Sequence, residues 1–180
     1  QILLQKLAKL GFSLEALELI RSFLADRTQV VQINESFSRE AKISGGITQG
    51  SCVGPTLFNI YINDIKDLKL TCQNYRFADD SILIWDIGHE DVNQVILNMD
   101  SDLKVLSNYY DSNKLKLNLS KSKFIILGTE NPDQNILKLL SSKNMIRAEN
   151  LVYLGVPVDP ALSFDKYSDQ IRSKLAQPTG

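Results

Sequence analysis

Cysteine, histidine and tryptophan are nearly absent from this chain, whose 180 residues include two cysteines, one histidine and one tryptophan. Cys52 and Cys72 lack ligand-type spacing, so two buried reduced thiols of an intracellular protein are expected rather than a disulfide or a metal site. His89, in Gly88-His89-Glu90, is expected in an exposed loop ahead of a helix, with no partner for general-base work. An excess of one charge is missing as well: 20 Lys and Arg against 21 Asp and Glu leave a net charge of -1. That balance argues against a free-standing nucleic-acid binder held by bulk electrostatics. It leaves room for a protein that must also carry acidic groups for metals. No apolar run approaches the roughly eighteen residues of a membrane span, and no membrane partner is expected. Internal repeats and low-complexity linkers are absent. With 43% hydrophobic residues the chain can build one globular core. Gln1 leads into an apolar helical pattern by Ile2 without an initiator methionine or signal peptide, so a fragment cut inside a reading frame is expected.

What is present is a mixed order of helices and hairpins. Residues 2 to 10 read as a helix ended by Gly11. Ser13 can cap a second helix running to about Leu24, with Glu15 near its positive end and Arg21 near its negative end. Short strands are expected at Thr28 to Ile33 and Ala41 to Ile43. A helix from Pro55 to about Leu68 carries Leu57, Phe58, Tyr61, Ile62 and Ile65 at three- and four-residue spacing, a stripe that belongs in a core. The clearest helix has Val92, Val95, Ile96, Met99, Leu103, Leu106 and Tyr110 on one face, with Asp91 as its cap. That face is expected to pack on the back of the hairpin before it. Residues 115 to 128 and 151 to 157 read as strands, with a polar stretch from Thr129 to Gln134 and a short helix around Ile136 to Leu140 between them.

The chemistry concentrates in two places. Phe77-Ala78-Asp79-Asp80 lies between two strand-like runs, a hairpin from Cys72 to Asp86 with paired carboxylates at its tip. Adjacent aspartates in a turn are commonly turn chemistry alone. They are also the hard oxygen ligands that Mg2+ takes while keeping positions open for substrate phosphates. Upstream, Gly45-Gly46-Ile47-Thr48-Gln49-Gly50-Ser51-Cys52-Val53-Gly54-Pro55 is a glycine-rich polar loop feeding a helix N-terminus, a place for phosphate or sugar.

These segments together resemble the reverse transcriptase domain of non-LTR retrotransposons, most closely jockey-like and related insect-type elements, over nearly the whole chain. Gly46 to Ile65 resembles the family's motif B, in which Gln49, Gly50 and Ser51 would lie against the incoming nucleotide and template. Phe77-Ala78-Asp79-Asp80 resembles motif C, with Phe77 where tyrosine is commoner. Leu115-Lys116-Leu117-Asn118 with Ser120-Lys121-Ser122-Lys123 is similar to motif D. Tyr153-Leu154-Gly155-Val156, then Asp159 and Leu162-Ser163-Phe164, resembles motif E, the primer grip. The segment before motif B, Phe23 to Val31 included, matches the stretch between motifs A and B. Two departures stand out: Cys52-Val53 replaces a more usual apolar pair, and no aspartate matching motif A occurs in residues 1 to 25, so its carboxylate would lie upstream of Gln1.

The resemblance implies an α+β polymerase palm, an antiparallel sheet with helices packed on one face. Its segments would be residues 1–45 between motifs A and B, 46–128 with motifs B, C and D, and 129–180 with motif E and the start of the thumb connection. It implies RNA-directed DNA synthesis by two-metal nucleotidyl transfer with Mg2+ (Mn2+ as a substitute), on an RNA template, a DNA primer and dNTPs, in the nucleus and cytoplasm. Asp79 is the expected metal ligand, and Asp80 a second ligand or hydrogen-bond partner, since neighbouring side chains on a strand alternate in direction. Lys121 is the candidate to protonate or steady the pyrophosphate, although Lys114, Lys116, Lys121 and Lys123 could equally form a solvated face. Arg27 could contact triphosphate or template phosphates, or form a surface ion pair. Phe77 and Ala78 would border the nucleotide, and Tyr153, Leu154 and Gly155 the primer. Two other readings stay open: a non-catalytic nucleic-acid-binding remnant, and a group II intron or retron-type enzyme.

Overall fold

The computed structural model describes residues 1–88, 91–118, 121–129 and 131–176. His89 and Ser120, singled out above, lie outside the described residues. The chain divides into two compact units, Gln1–Ile84 and a second beginning at Trp85. The division falls within the 46–128 segment.

In the first unit, helix α1 (Ile2–Lys9) buries Leu3 and Leu7 one turn apart. Helix α2 (Leu14–Leu24) starts where Ser13 Oγ accepts the Ala16 amide at 3.3 Å. Helix α3 (Gly54–Ile62) has Pro55 in its first turn, where a missing N–H costs nothing. Leu3, Leu7 and Leu57 form the centre of the core, with Leu17, Ile20, Ile47 and Tyr61 around them. The α-helix stops six residues short of the expected Leu68. Asn63–Asp67 tightens into a 3-10 turn that still buries Ile65, the shorter repeat common at helix ends. Lys6 fastens α1 to this end: its Nζ donates to Tyr61 O at 2.6 Å and Asp64 Oδ1 at 2.8 Å, and sits 4.7 Å above the Tyr61 ring. Burial, then the Asp64 charge, pushes the Tyr61 hydroxyl pKa up.

Between α2 and α3 runs a nested antiparallel ribbon. β1 (Thr28–Gln29) pairs with β4 (Ala41–Lys42), and β2 (Gln32–Ile33) with β3 (Ser36–Phe37). The single strand expected over Thr28 to Ile33 is interrupted at Val30-Val31, because Ser38 Oγ accepts the Val31 amide in place of a regular ladder bond. β5 (Gln73–Phe77) and β6 (Asp80–Ile84) form the expected hairpin in full register, from Gln73 opposite Ile84 to Phe77 opposite Asp80.

In the second unit, α4 (Val92–Ser112) is capped by Asp91, whose Oδ1 accepts the Asn93 amide at 3.1 Å. Its Val95 and Met99 pack with Phe124, Ile126, Ile136 and Leu140. The same helix buries Asp102, whose Oδ2 accepts the Trp85 indole N–H at 3.0 Å. α5 (Gln134–Ser142) is capped by Asp133 and is joined to α4 through Asp100, which binds Lys104 and Lys143. Those hydrogen bonds, Lys104's first, hold the Asp100 carboxyl below its usual range.

Four expectations need correction. Among the described residues of 115 to 128 the only strand is β7 (Lys123–Phe124), and its partner β8 (Ile146–Arg147) runs parallel to it. Leu115 is diverted because its amide bonds back to Tyr110 O at the end of α4. Residues 151 to 157 are a hairpin, β9 (Leu151–Tyr153) with β10 (Val156–Val158), turning at Leu154-Gly155 with both residues at positive φ. Among the described residues there is thus no continuous antiparallel sheet: the strands are two to five residues long and pair as five separate couples, four of them antiparallel. Cys52 is exposed rather than buried, in a loop whose Ile47 packs against the core and whose Gly54 is buried, while Cys72 is buried. An amphipathic helix not expected from the pattern, α6 (Asp165–Leu175), follows the last hairpin. Among the described residues, no helix is long and apolar enough to cross a membrane.

Candidate functional site

The glycine-rich loop is closed by its own short bonds. Ser51 Oγ donates to Thr48 O at 2.8 Å and accepts the Gly54 amide at 3.1 Å, so the turn Thr48 to Ser51 folds onto the start of α3. Gly54 is required by proximity: a Cβ there would stand 2.7 Å from Ser51 Oγ and 3.3 Å from Thr48 O. Gly50 is required by conformation, with φ at +79° and open space around it. The turn therefore presents Gln49 and Gly50 to solvent, with Ser51 half-buried behind them.

Arg27 joins this loop from the other side. Its Nε donates to Leu24 O at 3.2 Å, capping a terminal carbonyl of α2. Nη1 donates to Thr48 Oγ1 at 3.0 Å, and Nη2 to Gly46 O. Its own carbonyl accepts the Ile43 amide at 2.8 Å. Arg27 and the motif B-like loop are thus brought together, through bonds to protein oxygens.

The carboxylate pair sits where the alternation placed it. Phe77 and Asp80 close a two-residue turn of Ala78 and Asp79, and Ala78 takes a left-handed φ of 52°. An alanine in that region costs about 1–2 kcal/mol, held here by the ladder on both sides. The two aspartates are inequivalent, since Asp79 lies in the turn and Asp80 in the first pair of β6. From the register, Asp80 shares a face with Tyr75, Phe77 and Ile82. Tyr75 and Phe77 are 54% and 63% exposed, so Asp80 stands beside an uncovered aromatic surface.

Asp79 and Asp80 fit a divalent cation in kind, as exposed hard oxygen donors. In number they fall short of a closed site: among the described residues, no cluster of three His, Cys, Asp or Glu side chains could hold a metal. Asp64 is engaged by Lys6, and Asp86 Oδ1 accepts the Gly88 amide at 2.9 Å.

The remaining candidates belong to the second unit. Lys121 is exposed, its amide bonded to Asn118 O at 3.1 Å. Tyr153 is half-buried in β9, and Leu154 and Gly155 form the exposed turn after it, Leu154 at φ 49°. Thr48, Gly54 and Asp102 take roles that the sequence pattern did not assign them. Thr48 and Gly54 lie inside the motif B-like segment, yet nothing in their spacing shows that one receives Arg27 and the other admits Ser51. A charged residue on the inner face of α4 is the available signal for Asp102.

No curated protein gives a significant match to the chain. Residues 1–158 match the family described as "Reverse transcriptase (RNA-dependent DNA polymerase)", a span that takes in the glycine loop, the Asp79-Asp80 hairpin, the Lys121 segment and the Tyr153-Gly155 turn. On that match the chain belongs to the reverse transcriptase family.

Proposed function

We propose that the chain is the palm-bearing part of a non-LTR retrotransposon reverse transcriptase, which extends a DNA primer on an RNA template by metal-dependent nucleotidyl transfer. The observation that carries the reading is the tip of β5 and β6, which holds two adjacent exposed carboxylates within a family match covering residues 1–158. Mg2+, when bound, would activate the primer 3′-hydroxyl and neutralise the leaving pyrophosphate. Asp79 in the turn would contribute the principal oxygen ligand, with Asp80 a second ligand or a hydrogen-bond partner. A pair of ions about 4 Å apart needs a further carboxylate besides these two, together with phosphate oxygens of the substrate. Gln49-Gly50-Ser51 would border the nascent base pair, Tyr153-Leu154-Gly155 the primer strand, and Lys121 the pyrophosphate.

The test is primer extension by a polypeptide that joins residues 1–180 to a motif A strand carrying the further carboxylate. Asp79→Asn keeps the size of the side chain and removes its charge, so extension should fall by at least ~10³, within the several kcal/mol a metal supplies. Asp80→Asn should cost less. Undiminished extension by Asp79→Asn would remove the metal assignment, and duplex binding without any extension by the unaltered protein would favour the non-catalytic remnant.

A further inference from the structure

We infer that Arg27 is a positioning residue for the Gln49-Gly50-Ser51 turn rather than a phosphate contact; the inference rests on the proposal that this turn faces the nucleotide. Arg27 is half-buried, and all three of its donor nitrogens go to protein oxygens: Leu24 O on α2, Thr48 Oγ1, and Gly46 O in the loop. Thr48 is the relay. Its side chain receives Arg27, while its carbonyl receives the Ser51 hydroxyl at 2.8 Å and the Ser51 amide at 3.4 Å. Ser51 Oγ in turn accepts the Gly54 amide at 3.1 Å, at the first residue of α3. The arginine therefore fixes the loop at Gly46 and Thr48, just before the exposed Gln49 and Gly50, and anchors it to the C-terminal end of α2.

A planar fork is needed for this. Lysine has the charge but one nitrogen, and cannot reach three acceptors at fixed angles. A phosphate contact made by charge would survive that substitution in large part. Charge and geometry thus separate in the variants.

Amide exchange and dNTP affinity, the latter in the polypeptide joined to the motif A strand and bound to an RNA template and DNA primer, are measured for Arg27→Lys, Arg27→Gln, Thr48→Val and the Arg27→Lys/Thr48→Val pair. Exchange at Ser51 and Gly54 should accelerate about ten-fold in Arg27→Lys and several-fold in Thr48→Val, the scale of one lost net hydrogen bond, with Leu7 unchanged. The pair should be no worse than Arg27→Lys alone, because Thr48 Oγ1 acts through Arg27. The dNTP dissociation constant should rise in the same order, with Arg27→Lys as poor as Arg27→Gln. Rescue of dNTP affinity by lysine, with wild-type exchange at Ser51 and Gly54, would overturn the inference in favour of a phosphate contact. Faster exchange with unchanged dNTP affinity would overturn it as well, leaving Arg27 a fold residue only. Absence of dNTP binding on the duplex by that polypeptide with Arg27 and Thr48 unaltered would refute the polymerase reading and the substrate half of the inference together, whereas the two preceding outcomes refute this inference alone.

Discussion

Replacing Gly54 by alanine tests how tightly the glycine-rich loop is folded onto α3. The added methyl would stand 2.7 Å from Ser51 Oγ, 3.2 Å from Ile47 Cγ2 and 3.3 Å from Thr48 O. Two of these neighbours cannot yield cheaply, since Thr48 O is backbone and Ile47 packs against the core. Ser51 can rotate away, but its hydroxyl then loses both the bond to Thr48 O and the bond from the Gly54 amide. Two neutral hydrogen bonds are worth about 1–3 kcal/mol together, similar to the cost of overpacking a tight site. Alanine returns up to about 1 kcal/mol through its better helix propensity. The net expectation is a loss of about 1–2 kcal/mol, read in urea denaturation or in amide exchange at Leu57. Ser51→Ala removes the closest obstacle, so in that background Gly54→Ala should cost about 1 kcal/mol less than in the wild type. Gly50→Ala is the contrast: it meets no atom within 4 Å, but its φ of +79° costs about 1–2 kcal/mol irrespective of Ser51. A Gly54→Ala protein as stable as wild type, or additive effects of Ser51→Ala and Gly54→Ala, would refute the reasoning.

Other changes probe the two cores and the last hairpin. Leu7→Ala empties a fully buried site in the first unit and should lower stability by about 2–5 kcal/mol in denaturant unfolding, while exchange at Val95 in the second unit stays slow. Leu154→Asn converts a strained turn into Asn-Gly, which suits positive φ at both positions; it should stabilise the β9 and β10 pair by about 1 kcal/mol, and an earlier melt would contradict that. The Asp159 carboxyl is held below its ordinary range by the Ser163 hydroxyl first and then by the Ser163 amide. A lowered folded-state pKa means that its contribution is complete above the ordinary aspartate value and disappears as pH falls through its own lower one. The shifts of the Ala161 and Ser163 amide resonances should therefore move on acidification only below the range of an unperturbed aspartate, and Asp159→Asn should abolish that step.

Periodicity alone makes most of the helices legible. Val95, Met99 and Leu106 of the stripe from Val92 to Tyr110 are buried on α4, together with Asp102 and Tyr109, and Ser13 and Asp91 cap the helices they precede, because these are local relations set by a 3.6-residue repeat and by unsatisfied terminal amides. The motif C-like hairpin is legible for a similar reason, since alternation and the position of the turn fix a two-stranded register without help from elsewhere. Pairing between distant segments is not. Nothing in Lys123-Phe124 or Ile146-Arg147 specifies a parallel partner, and the exit of Leu115 toward Tyr110 depends on how α4 ends. The site divides along the same line. The types and order of Gln49, Gly50, Ser51, Asp79 and Asp80 came from the chain itself, as did the family, because a motif is a local string. Arg27 reaching Thr48, Ser51 filling the space over Gly54, and Trp85 meeting Asp102 were decided only when separated segments packed together. Hydrogen bonds and close approach depend on positions in space, which a linear pattern constrains only within a few residues.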